Sequence, residues 1–137
     1  MSRLWAMTVD FDAVAVGDTL PVLIKWETEE SIRRYASLHG AGDEASGAAP
    51  EELPWQTVNG YVTELLSKGF PTERLEAEDS SVDVERLQPV RANDTISLSG
   101  WVTDKRVLGG LRLVECAVAV ENDRGEPVAR ARAVVSL

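Results

Sequence analysis

The segment between Tyr35 and Tyr61 contains side chains that, by their types and spacing, are candidates for proton transfer. His39 is the only histidine of the chain, and Asp43 and Glu44 follow it within loop reach. An imidazole can act as a general base when a nearby carboxylate orients it. His39 and Asp43 are therefore candidate catalytic residues. The alternative is a histidine near a helix end, favoured by the helix dipole, beside carboxylates in a solvated loop.

The composition of the 137 residues predicts one domain over 1–137. Hydrophobic residues make up 44% and charged residues 27%, as in ordinary soluble proteins. No apolar run approaches the ~20 residues that cross a bilayer, and the first residues lack a signal-peptide pattern. The net charge of -9 argues against nucleic acid as a partner, because phosphate contacts need clustered Lys and Arg. The single cysteine, Cys116, lies in an apolar run and is expected to be a buried thiol in a reducing cytoplasm.

The first half of the chain predicts a strand and two helices. A strand runs through Leu20 to Trp26 after a turn, and Thr28 is a plausible N-cap for a helix that Gly40 ends. Nothing is periodic from His39 to Pro54, so we expect a loop there. A second helix is expected from about Asn59, with Gly69 as its terminator.

The second half predicts four strands. Apolar residues alternate in "SVDVERLQPV", "DTISLSGWVTDKRV", "LRLVECAVAVEN" and "EPVARARAVVSL". Gly109-Gly110 and "NDRG" are hairpin signals, so the last three strands should form an antiparallel meander. Since "LRLVECAVAV" is apolar on both faces, it should be the central strand. This order predicts an α+β layer pair, a sheet with a long helix against it.

The order and spacing of these segments resemble the MaoC-like hydratase/dehydratase family. The resemblance rests on the "VGD" before the first strand, on "NGYVTELL" where the central helix of the family begins, and on the "PV...DT" and "N.RGEPV" segments of the meander. It implies a hotdog fold, in which a curved antiparallel sheet wraps a long central helix. It also implies a dimer, either a homodimer or a heterodimer with another MaoC-like subunit, and acyl-CoA or acyl-carrier-protein thioesters as ligands. We expect no metal or separate cofactor.

The family's chemistry is the addition of water to a 2-enoyl thioester, or the reverse, by an Asp and a His in a Ser-Gly-Asp-x-Asn-Pro-x-His motif. This chain departs from that motif. Aligned on "YASLHGAGDEASG", Ala41 stands at the Asp position and Ser46 at the His position. A shift by two residues brings in Asp43 but puts Ala48 at the His position. No register supplies both members of the dyad.

The resemblance also points to substrate-binding residues around the start of the central helix. We expect Asn59 to cap this helix and the Gly60 backbone to hold a thioester carbonyl at its positive end. Trp55 and Tyr61 are candidates to line an acyl pocket, with core or dimer packing as the alternative. Glu64 is a possible carboxylate of the kind that hotdog thioesterases place on this helix, or an exposed surface residue.

Three hypotheses follow. The first is an acyl-thioester-binding subunit without a dyad of its own, working with a partner subunit that carries one. The second is a self-sufficient enzyme, either a hydratase/dehydratase that uses His39 and Asp43 or a thioesterase that uses Glu64 or Asp43. The third is a structural or regulatory acyl-binding homodimer.

Overall fold

The computed structural model of the chain describes residue 4, residues 10–38 and residues 52–137. The elements in chain order are a short 3₁₀ turn (Phe11–Ala13), β1 (Leu23–Trp26), α1 (Glu29–Leu38), α2 (Trp55–Ser67), α3 (Thr72–Leu75), β2 (Ser81–Arg86), β3 (Thr95–Leu108), β4 (Leu111–Asn122) and β5 (Pro127–Ser136). The 3₁₀ turn and α3 were not predicted from the sequence. None of the described helices is long and apolar enough to span a membrane.

The described strands form one antiparallel sheet in the order β1-β3-β4-β5-β2. The predicted meander of β3, β4 and β5 is confirmed, and β4 is its central strand. Gly109 and Gly110 both have positive φ, +57° and +81°, which is the geometry that a two-residue hairpin turn requires. Register shifts at Val102/Asp104 and Val120/Glu121 mark bulges, which bend the strands that contain them.

The core lies between α2 and one face of the sheet. Four residues of α2 are at most 1% exposed, and they share one helix face: Val58, Val62, Leu65 and Leu66. They belong to the same buried core cluster as the alternate residues of β4 that point inward, among them Val114, Cys116, Val118 and Val120. Cys116 is fully buried, and burial raises the pKa of its thiol to about 12, so the expectation of a buried thiol is confirmed.

The strand predicted from Leu20 onward is regular only from Leu23 to Trp26. Leu20 does bond to β3, because its N–H donates to the Gly100 carbonyl at 2.9 Å. Pro21 follows it and has no N–H to donate, which interrupts the ladder between the two segments.

The side chain of Leu20 also explains why positions 69 and 100 are occupied by glycine. A Cβ on Gly69 would lie 2.3 Å from Leu20 Cδ2, and one on Gly100 would lie 2.8 Å from Leu20 Cδ1. Both glycines therefore make room for a buried leucine. The helix α2 ends at Ser67 with Lys68 as its C-cap, so Gly69 directly follows the cap, at the helix end that the sequence predicted.

Candidate functional site

The central helix begins at Trp55, four residues before the predicted start. Pro54 occupies the cap position, and the segment before it is anchored by the Leu53 N–H, which donates to the Val90 carbonyl at 2.8 Å. This tertiary pairing starts the helix earlier than the capping propensity of Asn59 indicates. The prediction that Asn59 is the N-cap is therefore wrong.

The backbone amides of Asn59 and Gly60 consequently lie inside the helical ladder. As the fifth and sixth residues of α2, they are placed to bond to carbonyls four residues earlier. The positive end of the helix lies instead in the first turn, at Trp55–Val58. There the Thr57 and Val58 amides share the Pro54 carbonyl, at 2.9 and 3.4 Å.

Asn59 and Gly60 are nevertheless exposed, on a helix whose other side is fully buried. Among the described residues, nothing lies within 4 Å of the position that a Gly60 Cβ would occupy. A glycine inside a helix costs about 1 kcal/mol relative to alanine, and no packing contact in the described chain requires it here. The helix backbone is open to an approaching ligand or chain at this point.

Four residues of α2, which we call the α2 stripe, share the helix flank that contains this opening. They follow the i, i+3, i+4, i+7 spacing that places side chains on one face: Thr57, Gly60, Tyr61 and Glu64. Thr57 is only 5% exposed, and its hydroxyl Oγ1 has no hydrogen-bond partner among the described residues. A buried hydroxyl without a partner costs roughly 1–3 kcal/mol, so Thr57 is unusual in this helix.

Tyr61 joins the α2 stripe to a buried carboxylate that the sequence did not reveal. Glu27 is 2% exposed and accepts hydrogen bonds from Tyr61 Oη at 2.5 Å and from Ser31 Oγ at 2.8 Å. Burial, and next the hydrogen bond to Glu27, raise the pKa of Tyr61 far above its usual range, so its hydroxyl remains a donor. No local pattern marks Glu27, because Tyr61 is 34 residues away.

The same cluster fixes the start of α1. Thr28 caps this helix as predicted: the Ser31 N–H donates to Thr28 Oγ1 at 3.0 Å, and the Thr28 N–H donates to Ser31 Oγ at 2.9 Å. This reciprocal pair satisfies two amides of the first turn. Glu27 thus lies at the positive end of α1 while it binds the middle of α2.

Glu64, the last residue of the α2 stripe, is paired with a cation. Lys25 Nζ lies 3.1 Å from Glu64 Oε1 and 4.8 Å from the centroid of the Tyr61 ring. Lys25 therefore offsets the negative charge of Glu64. The thioesterase role predicted for Glu64 stays a prediction.

The remaining predicted site residues lie apart from this cluster or outside the described chain. Trp55 is 7% exposed, and the Arg86 guanidinium lies 5.5 Å from the centroid of its ring. Trp55 and Tyr61 thus have packing or hydrogen-bonding partners of their own, and their role in an acyl pocket remains untested. His39, Asp43 and Glu44 lie outside the described residues.

Comparison with known proteins relates this geometry to one fold. No protein-family model matches the chain, and no curated protein matches it in sequence. Solved structures do match. The (R)-hydratase of A. caviae involved in PHA biosynthesis is 18% identical with a TM-score of 0.66, covering 91% of this chain and 98% of its own.

Two further structures match over similar lengths. The MaoC-like dehydratase of Rhodospirillum rubrum is 19% identical with a TM-score of 0.68, covering 92% of this chain and 94% of its own. The ChsH1-ChsH2 complex of Mycobacterium tuberculosis matches at 22% identity with a TM-score of 0.63, covering 90% of this chain and 98% of the matched chain. The chain therefore has the hotdog fold that MaoC-like dehydratases and (R)-hydratases share.

Proposed function

We propose that the chain binds acyl thioesters, of CoA or of acyl-carrier protein, at the open face of α2. We further propose that it acts as one subunit of a hydratase or dehydratase whose catalytic Asp and His lie on a second hotdog subunit. The observation that carries the proposal is the exposed Asn59-Gly60 backbone in the middle of the central helix. In a fold shared with hydratases, this opening would admit a thioester.

The sequence and one comparison support a pair of subunits in which the catalytic Asp and His lie on the second subunit. No register of the segment from Tyr35 to Gly47 supplies both the Asp and the His of the hydratase motif. One of the structures that this chain resembles is a complex of two proteins, ChsH1 and ChsH2. A chain that keeps the fold and lacks the motif fits the role of a partner subunit.

The edges of the sheet also support a partner. Ile24 and Trp26 of β1 are 65% and 66% exposed, and β1 is an edge strand of the described sheet. At the other edge, five of the six residues of β2 are exposed. Apolar side chains on an edge strand favour coverage by another chain.

The test is hydration of crotonyl-CoA, followed as loss of the enoyl-thioester absorbance. We expect the pure chain to show no turnover, to be stabilised thermally by acyl-CoA, and to support turnover once a hotdog partner encoded nearby is added. The variants His39→Ala and Asp43→Ala should leave the activity of the assembled pair unchanged. A chain that acyl-CoA does not stabilise would count against thioester binding itself.

A self-sufficient enzyme is the second candidate, and the same preparations separate it from the first. Glu64 lies one turn beyond Gly60 on the α2 stripe, where a carboxylate could reach a bound thioester. Hydration by the pure chain that disappears in His39→Ala or Asp43→Ala would establish a rearranged dyad. Release of free CoA thiol that disappears in Glu64→Gln would establish a thioesterase.

A further inference from the structure

We propose that the Thr57 hydroxyl is a ligand-positioning group that donates a hydrogen bond to the carbonyl oxygen of the bound thioester. This inference rests on the proposed function, since it names the group that would hold the thioester beside Gly60. The starting observation is the Thr57 Oγ1 atom, which is buried and has no hydrogen-bond partner in the part of the chain that the structure describes.

Two other side-chain hydroxyls of α2 make hydrogen bonds of a kind that the Thr57 hydroxyl does not make. Thr63 Oγ1 donates to the Asn59 carbonyl at 3.3 Å, and Ser67 Oγ donates to the Glu64 carbonyl at 2.7 Å. Such bonds to the preceding turn are the usual way in which a helix satisfies a hydroxyl. Thr57 lacks this option at Pro54, whose carbonyl already accepts from the amides of Thr57 and Val58.

Thr57 lies in the first turn of the helix. It is the third residue of this 13-residue helix, and the Cα–Cβ bonds of an α-helix tilt toward its N-terminus, so the Thr57 side chain leans toward the helix start. There the Trp55 amide bonds to no other described residue, and the helix dipole adds positive potential. The hydroxyl, the amide and the helix dipole all favour the binding of an oxygen atom that accepts hydrogen bonds.

A thioester carbonyl suits this arrangement. Its oxygen accepts hydrogen bonds and donates none, and the open backbone at Gly60 lies one turn further along the α2 stripe. A phosphate of the carrier arm would offer the same acceptor chemistry, so the experiment must separate the two oxygens. The binding of a ligand would then offset the cost of leaving Thr57 unpaired in the free protein.

The experiment compares two ligands by calorimetry on the full chain. Butyryl-CoA carries the thioester carbonyl, whereas S-butyl-CoA has the same phosphates and a thioether without the carbonyl. The variants are Thr57→Val, which keeps the shape and removes the hydroxyl, Thr57→Ser, which keeps the hydroxyl, and Thr63→Val as a matched control on the same helix.

We expect the native chain to bind butyryl-CoA more tightly than S-butyl-CoA. Thr57→Val should weaken butyryl-CoA binding by about 3- to 10-fold, the equivalent of one neutral hydrogen bond, and leave S-butyl-CoA binding unchanged. Thr57→Ser should bind both ligands as the native chain does, and so should Thr63→Val. The unfolding midpoint of ligand-free Thr57→Val should equal or exceed that of the native chain, because the variant removes a buried hydroxyl that has no partner.

Four results would overturn the inference. If Thr57→Val weakens the binding of butyryl-CoA and S-butyl-CoA equally, the hydroxyl binds a phosphate or has a packing role. If Thr57→Val binds both ligands as tightly as the native chain does, the hydroxyl contacts neither ligand. A lower unfolding midpoint of ligand-free Thr57→Val would show that the hydroxyl serves the fold. If the native chain binds neither ligand, the proposed function fails and this inference fails with it.

Discussion

Glu27 shows how a single buried carboxylate can join two helices. It lies just before α1, and two hydroxyl groups donate to it, one from α1 and one from α2. Burial of a charged group is costly unless hydrogen bonds replace its hydration. The Glu27 carboxylate therefore depends on Ser31 and Tyr61, and the orientation of α2 relative to α1 depends on Glu27.

Removal of the Tyr61 hydroxyl should destabilise the chain. In Tyr61→Phe the Glu27 carboxylate loses one of its two donors, and a hydrogen bond to a charged group contributes roughly 1.5–3 kcal/mol. Urea denaturation should show a lower free energy of unfolding by about that amount. The double variant Tyr61→Phe/Glu27→Gln should lose less than the sum of the single changes. Additive losses would show that the two side chains stabilise the fold independently.

Among the elements, α2 and the turn after it contain two glycines with opposite roles. Gly69 has no room for a side chain because of Leu20, whereas Gly60 meets none of the described residues. The packing of the described residues therefore requires a glycine at position 69 and gives no reason for the glycine at position 60.

Substitution of each glycine by alanine should therefore change stability in opposite directions. Gly69→Ala forces a methyl group against Leu20 and should lower the free energy of unfolding by about 1–3 kcal/mol. Gly60→Ala improves helix propensity and should raise it by about 0.5–1 kcal/mol in the ligand-free chain. Chemical denaturation measures both. A destabilised Gly60→Ala variant would mean that the protein itself occupies the space at this position.

Glu115 connects three strands on the outer face of the sheet. Its Oε1 atom accepts from Arg132 of β5 at 2.7 Å and from Arg106 of β3 at 3.1 Å. The hydrogen bond from Arg132, and with it that from Arg106, holds the pKa of Glu115 below its ordinary value of 4.5, although burial acts in the opposite direction.

At acidic pH, the Glu115 carboxylate should no longer stabilise the fold. A carboxylate whose pKa is lower in the folded state stabilises the protein fully above its unfolded pKa, and the effect is lost as the pH falls through the folded pKa. Glu115→Gln should therefore be less stable than the native chain at pH 7, and the difference should shrink below about pH 4. Thermal melts across this range measure the difference. Glu121→Gln, on the same strand without a described partner, should show no comparable loss.

At the scale of the whole molecule, the sequence predicted what depends on local pattern. Apolar residues at alternate positions predicted β3, β4 and β5, and the apolar residues on the second face of β4 identified it as the central strand of the sheet. The order of these segments predicted an α+β layer pair, and their resemblance to the MaoC-like family implied the hotdog fold, although the solved structures compared above are at most 22% identical.

The sequence was less informative where distant residues decide the local structure. The start of α2 depends on a backbone pairing between Leu53 and Val90, which capping propensity cannot reveal. Glu27 and Tyr61 are far apart along the chain, and no local pattern shows that the Thr57 hydroxyl has no partner among the described residues. The predicted start of the helix that carries the candidate site was therefore wrong, and the assignment of the site to this helix stays a prediction.

The exposed β1 edge has a consequence for the newly made chain. Val22, Ile24 and Trp26 alternate along this edge and are 56%, 65% and 66% exposed. An apolar strand edge is a template on which other strands add, so chains that finish folding without a companion are prone to aggregate through it. Under the proposed function, the yield of soluble protein should then depend on simultaneous synthesis of the partner subunit, and the ratio of the two subunits would become a condition for solubility as well as for activity.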